Sequence, residues 1–174
     1  RSGACDMWDR SENQITLVLI RHGATKSNIE HRYLGKTDEL LSKEGERQLV
    51  EYKKLHLYPN IDFLFTSPMK RCIQTANILY PELQPVQMKE WEEMDFGAFE
   101  GKNYVELQGN KLYQAWIDSN GTLPFPEGES REEFITRCNK GFRGMVEKVE
   151  QIKEEGRKTI GMIVHGGTIM ALLS

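Results

Sequence analysis

The sequence predicts an α/β fold, a three-layer sandwich whose mostly parallel central sheet carries helices on both faces. Two observations predict it. Short apolar runs rich in β-branched or aromatic residues, each ending at a polar turn, recur at 15–20, 61–65 and 159–164 and read as strands. Helical spacing of apolar residues fills the intervals between them, and an alternation of strand and helix marks a parallel sheet.

Residues 1–14, RSGACDMWDRSENQ, are polar, lack the apolar stretch of a signal peptide, and read as a disordered leader or an expression remnant. The domain is expected over 15–174. After the first strand, Ser42 stands before Leu49, Tyr52 and Leu55 as a helix N-cap. After the second, Ser67-Pro68 opens a helix through Ile73, Ala76 and Leu79. Residues 91–128 are irregular and rich in aromatics and glycine, which suits an insertion or lid over one end of the sheet, packed by Trp91, Phe96, Phe99 and Trp116. Ser130 and Glu133 read as a capping box for a long helix whose apolar face holds Phe134, Cys138, Phe142, Met145 and Val149, with Gly156 as its stop. The closing TIMALLS starts an apolar helix of only about two turns, too short to be stable alone, so the domain is expected to be truncated at its C-terminal end.

Composition narrows the function. A chain of 174 residues with a formal charge of -3 has no reason to coat nucleic acid, so any affinity for phosphate must be local. No apolar run approaches the ~18 residues that span a bilayer. Cys5, Cys72 and Cys138 are odd in number and share no CxxC spacing, which points away from disulfides and zinc and toward a reducing cytoplasm. Cys72 and Cys138 read as small buried residues of helices. His31 and His56 read as surface residues.

The strand ends carry the chemical signal. The first strand ends in Arg21-His22-Gly23, the second leads to Arg71 in the first turns of its helix, and the third ends in His165-Gly166-Gly167. Carboxyl ends of parallel strands lie along one edge, where open α/β proteins bind ligands. Two arginines and two histidines therefore converge there beside glycines whose N–H groups can approach closely, a suitable lining for a phosphoryl group.

RHGATKSN, GKTDELLSKEG, TSPMKRCIQTA, EEMDFGAFEG, PEGES and VHGG together resemble the motifs of the histidine phosphatase superfamily that includes the phosphoglycerate mutases. The similarity runs from Thr16 through nearly all of the chain. It implies a phosphoglycerate mutase-like fold and a catalytic set of His22, Glu93 and His165, with Arg21, Asn28, Arg71 and Gly166 binding substrate. His22 would become phosphorylated, and a protonated His165 would join the arginines on the phosphoryl oxygens. Glu93 would be the proton donor, with Glu90, Glu92 and Asp95 crowding the same stretch. Leu40 stands where the family usually has proline, a change that affects only loop stiffness.

The arginines should keep His22 unprotonated, and no metal or other cofactor is required. The compact 100–130 segment is more similar to α-ribazole phosphatases than to mutases. The expected activity is thus a metal-independent phosphomonoesterase acting on a small metabolite through phosphohistidine, with α-ribazole 5′-phosphate of cobalamin biosynthesis as a plausible substrate. A phosphoglycerate mutase and a non-catalytic phosphate-binding regulatory module are the alternatives. The expected partner is a small phosphomonoester, with no nucleic acid and no membrane, and the sequence leaves the oligomeric state open.

Overall fold

A computed structural model describes residues 14–152 and 154–174. Its sheet has the order β1-β4-β2-β3, formed by β1 (Ile15–Arg21), β2 (Phe63–Thr66), β3 (Val86–Gln87) and β4 (Lys158–Val164), with every pairing parallel. Parallel strands need long crossovers, and helices supply them: α1 (Lys26–Ile29) and α2 (Lys43–Lys54) between β1 and β2, α3 (Lys70–Leu79) between β2 and β3, and α4 (Lys111–Asp118) and α5 (Arg131–Glu150) between β3 and β4, while α6 (Gly166–Leu172) follows β4.

The central strand β4 is covered on both faces, which is why it reads as an almost unbroken apolar run. Ile163 faces a core with Leu49 of α2 and Cys72, Ala76 and Leu79 of α3. Ile160, Met162 and Val164 face the opposite layer, with Met145 and Val149 of α5 and, partly buried, Ile169 and Leu172 of α6. Gly161 leaves room for Ile61, whose side chain would collide with any Cβ there. The three-layer α/β expectation is met. A third, smaller core forms in the insertion, where Phe99, Leu107 and Phe125 pack with Tyr33, Phe96, Tyr113 and Trp116.

Several local expectations are corrected. Trp91 belongs to the main core rather than the lid, wholly buried with its indole N–H donating to the Cys138 carbonyl at 3.3 Å. The N-cap of α3 is Met69, which offers no side-chain acceptor; Asp38 from a distant loop accepts from the Lys70 N–H instead, at 2.7 Å. Ser130 Oγ accepts from the Glu133 N–H at 3.1 Å, without the return bond of a capping box. Helix α5 ends at Glu150, and Gly156, at φ +103°, turns the chain into β4 rather than stopping the helix. The leader expected over 1–14 lies outside the described residues except for Gln14, whose carbonyl accepts from Lys158 N–H and so already joins the sheet. Among the described residues no helix is long and apolar enough to cross a membrane.

Candidate active site

The sheet register sets the site. Arg21 lies opposite Val164 and Thr66 opposite Ile163, and the ladders continue one residue further through His22 N–H to Val164 O and Ser67 N–H to Ile163 O. His22, Ser67 and His165 therefore leave the sheet along one edge. The imidazoles of His22 and His165 meet edge to face, with centroids 5.2 Å apart.

His22 is buried, and its Nδ1 lies 2.7 Å from the Gly23 carbonyl. A carbonyl can only accept, so Nδ1 carries the proton and Nε2 keeps its lone pair. Burial, more than Arg71 and Arg21, pushes this imidazole down to about 4, against the Gly23 carbonyl that raises it. The expected effect of the arginines has the right sign and is the smaller cause. The turn behind His22 is held from α3 by Thr75, whose hydroxyl accepts from Gly23 N–H at 3.0 Å and donates to the Arg71 carbonyl at 2.8 Å. A Cβ on Gly23 would approach Leu49 to 2.7 Å, so close packing under the turn requires glycine.

Arg71 is wholly buried on the first turn of α3. It donates through Nη1 to Thr37 O at 2.8 Å and through Nη2 to Gly35 O at 2.9 Å, anchoring the loop that Glu100 holds from the other side. Its Nε and the Nδ1 of His165 are both buried without a hydrogen-bond partner among the described residues. Arg21 is exposed, and Gly166 opens α6 beside its guanidinium.

Burial first, then Arg71 and His22, push the His165 imidazole down to about 2 in the unliganded protein, while the protonated ring was expected against bound phosphoryl oxygens. Its Nε2 lies 2.8 Å from Ser67 Oγ and 3.8 Å from Cys72 Sγ. Cys72 and Cys138 are buried as expected, and burial pushes the Cys72 thiol up to about 12.

Glu93 lies against α6, close enough that a Cβ on Gly167 would come within 2.5 Å of its Oε1. Burial raises its carboxyl above the usual range, although the Met94 N–H, at 2.8 Å from Oε1, and Arg71 oppose the shift. Of the crowding carboxylates, Asp95 is lowered instead, chiefly by Lys36 at 2.8 Å. Glu93 thus holds a proton more readily than Asp95.

Asn28 spends its side-chain oxygen on Thr25 N–H in a reciprocal capping box for α1, so only its amide nitrogen is left to donate. It lines an open cleft of about 460 Å³ beside His22, together with Arg21, His31, Gln48 and Tyr52. His31 is exposed as expected, yet its place on this cleft was not legible, because a left-handed φ of 55° turns it there. Sequence reasoning also missed the contacts of Ser67 and Thr75, and Arg137, which donates to the Glu90, Glu92 and Glu93 carbonyls. Their signal is tertiary, since each acts on a residue far away in the chain.

The model of the histidine phosphatase superfamily (branch 1) matches residues 17–174. The phosphatase PhoE of Bacillus subtilis, itself uncharacterised, is 34% identical, over 91% of this chain and 75% of its own length. A 2,3-bisphosphoglycerate-dependent phosphoglycerate mutase of Cytophaga hutchinsonii is 30% identical, over 90% and 75%. A crystal structure of an Escherichia coli protein assigned as an α-ribazole-5′-P phosphatase superposes with a TM-score of 0.79 at 25% identity, over 92% of this chain and 78% of that one. The strand-end histidines and arginines, the all-parallel sheet and the match over almost the whole described length agree: the chain belongs to the histidine phosphatase superfamily, branch 1.

Proposed function

We propose that the protein is a phosphomonoesterase that hydrolyses a small phosphorylated metabolite through a phosphohistidine at His22. The observation that carries this reading is a neutral His22 with its tautomer fixed by Gly23, beside Arg71 and His165, each of which has a buried nitrogen without a partner among the described residues. In the first step a bond forms between His22 Nε2 and phosphorus while the bond to the ester oxygen breaks, and Glu93 gives its proton to that oxygen. Arg21, Arg71, the Asn28 amide and the Gly166 N–H receive the phosphoryl oxygens, whose charge they stabilise without moving. His165 enters neutral and gains a proton-stabilising partner only when the dianion arrives. In the second step the Glu93 carboxylate takes a proton from water, the water oxygen bonds to phosphorus, and the P–N bond breaks to release phosphate and neutral His22.

α-Ribazole 5′-phosphate is the substrate we favour, on the likeness to the Escherichia coli structure and the compact lid. The free thiols of Cys72 and Cys138 fit a cytoplasmic location. A mutase reading has its own support in the relative from Cytophaga hutchinsonii. A panel of phosphomonoesters, including α-ribazole 5′-phosphate, 3-phosphoglycerate and phosphoserine, assayed with EDTA present, tests both. Phosphate release that disappears in His22→Ala supports the phosphatase. Interconversion of 2- and 3-phosphoglycerate faster than phosphate release overturns it in favour of the mutase, and full activity of His22→Ala removes the covalent route.

A further inference from the structure

Glu93 stands in a stretch with neither helix nor strand to hold it, between the 3₁₀ turns Lys89–Trp91 and Gly97–Phe99. Such backbone leaves carbonyls without regular partners, and a proton donor there would wander by more than the fraction of an ångström that proton transfer tolerates. One side chain resolves both problems. Arg137, eight residues beyond Glu129 along the chain, donates through Nη1 to the carbonyls of Glu90 and Glu92, each at 2.8 Å, and through Nη2 to the carbonyl of Glu93 itself at 3.3 Å. Its other donors form a fork on Glu129, from Nε to Oε1 at 2.9 Å and from Nη2 to Oε2 at 2.8 Å. Glu129 in turn reaches the far side of the acid: its N–H donates to the Asp95 carbonyl at 2.9 Å, and its Oε2 accepts from Asp95 N–H at 3.2 Å. The guanidinium is packed over Phe134, which is buried against Cys138 and Ala171.

We infer that Arg137 and Glu129 form a clamp that positions Glu93 for proton transfer, gripping the backbone on both sides of the acid. Neither touches the phosphoryl site, so they are positioning residues, and the inference rests on Glu93 being the acid. The rigid fork of Arg137 meets three convergent carbonyls and a carboxylate together; a lysine ammonium, with its donors on one atom, cannot span them. The clamp also supplies a fixed charge near the acid. Arg137 favours the ionised Glu93 to a small degree against the larger effect of burial, which keeps the carboxyl able both to give a proton and to recover one.

The test uses Arg137→Lys, which retains the charge, and Glu129→Gln, which retains the side-chain shape, each alone and combined with Glu93→Gln. Turnover is measured on an alkyl phosphomonoester and on p-nitrophenyl phosphate, whose leaving group needs no proton, and vanadate inhibition reports the phosphoryl site. Arg137→Lys is expected to slow the alkyl ester by about tenfold or more, within the range that general-acid catalysis contributes, while aryl turnover and vanadate inhibition hold. In the Glu93→Gln background the same change should cost nothing further, because both act through one proton. Equal losses on both esters, or losses that add in the double variant, overturn the clamp. If Glu93→Gln itself slows both esters equally, the acid assignment fails instead, and the two failures are told apart by that single variant. Misfolding of Arg137→Lys would lower both rates and raise the vanadate constant; Glu129→Gln, which leaves three carbonyl bonds in place, then decides by the same ester ratio.

Discussion

Replacing Arg71 by lysine separates the task proposed for it, binding phosphate, from holding the loop after β1. A guanidinium has five N–H donors, and the structure commits two of them, to Thr37 O and Gly35 O, which leaves Nε and one hydrogen on each Nη for phosphoryl oxygens. An ammonium on a shorter, unforked stem can satisfy at most part of this set. Loss of one charge-assisted hydrogen bond to phosphate costs about 1.5–3 kcal/mol, which corresponds to a vanadate inhibition constant about 10- to 150-fold weaker. One buried carbonyl stripped of its donor costs about 2 kcal/mol, and at this chain length that lowers Tm by about 4–8 °C. Glu100 still holds Gly35 and Thr37 through their N–H groups, so the loop should shift rather than unfold. Vanadate titration and thermal melts, with and without vanadate, measure both quantities. An unchanged vanadate constant would refute the placement of Arg71 on the phosphoryl group. A weakened constant with an unchanged Tm would refute the claim that its carbonyl bonds hold the loop.

Two further outcomes are expected. The His22 imidazole resonances should titrate at about 4 instead of 6.5, and stability should fall as pH drops from 6.5 toward 4, because over that window the unfolded chain takes up a proton that the folded one refuses; a His22 titration near 6.5 would contradict its burial. Gly167→Ala should displace the Glu93 carboxyl, which stands where the new methyl group would lie, and so slow alkyl esters more than p-nitrophenyl phosphate; equal slowing of the two would show that α6 does not set the acid's position.

The parts of the site that were legible are those a strand end delivers. His22, Arg71 and His165 each come within a few residues of a strand's last residue, and the parallel pairing of β1, β4 and β2 then leaves them no other edge to occupy. Glu93 was legible only through resemblance, because no periodic pattern surrounds it and four carboxylates share its stretch; what distinguishes it is the burial that α6 imposes. The two-residue β3 and the eight-residue α4 carry too little pattern to register, and Trp91 was misplaced because an aromatic in an irregular segment gives no sign of which core it enters.

The charge of His165 marks where sequence reasoning stops for a physical reason. Neighbours along the chain suggest a histidine gathered with phosphate-binding cations, and a protonated ring would suit that company. The burial that lowers its pKa most is made by groups from elsewhere in the chain. Ser67 is 98 residues away and Cys72 is 93, and both reach its Nε2 only after β2 and α3 have packed beside β4. Arg71 adds its positive charge through the same packing. Desolvation and repulsion by like charge are thus made by the closed pocket, and both oppose a proton on the ring. A phosphoryl dianion in that pocket would reverse the balance, since it would supply negative charge close to His165 and Arg71, each of which has a buried nitrogen without a partner among the described residues. On the mechanism proposed above, the burial that holds both imidazoles neutral in the free protein would leave His22 free to attack and would let His165 answer the charge of the substrate.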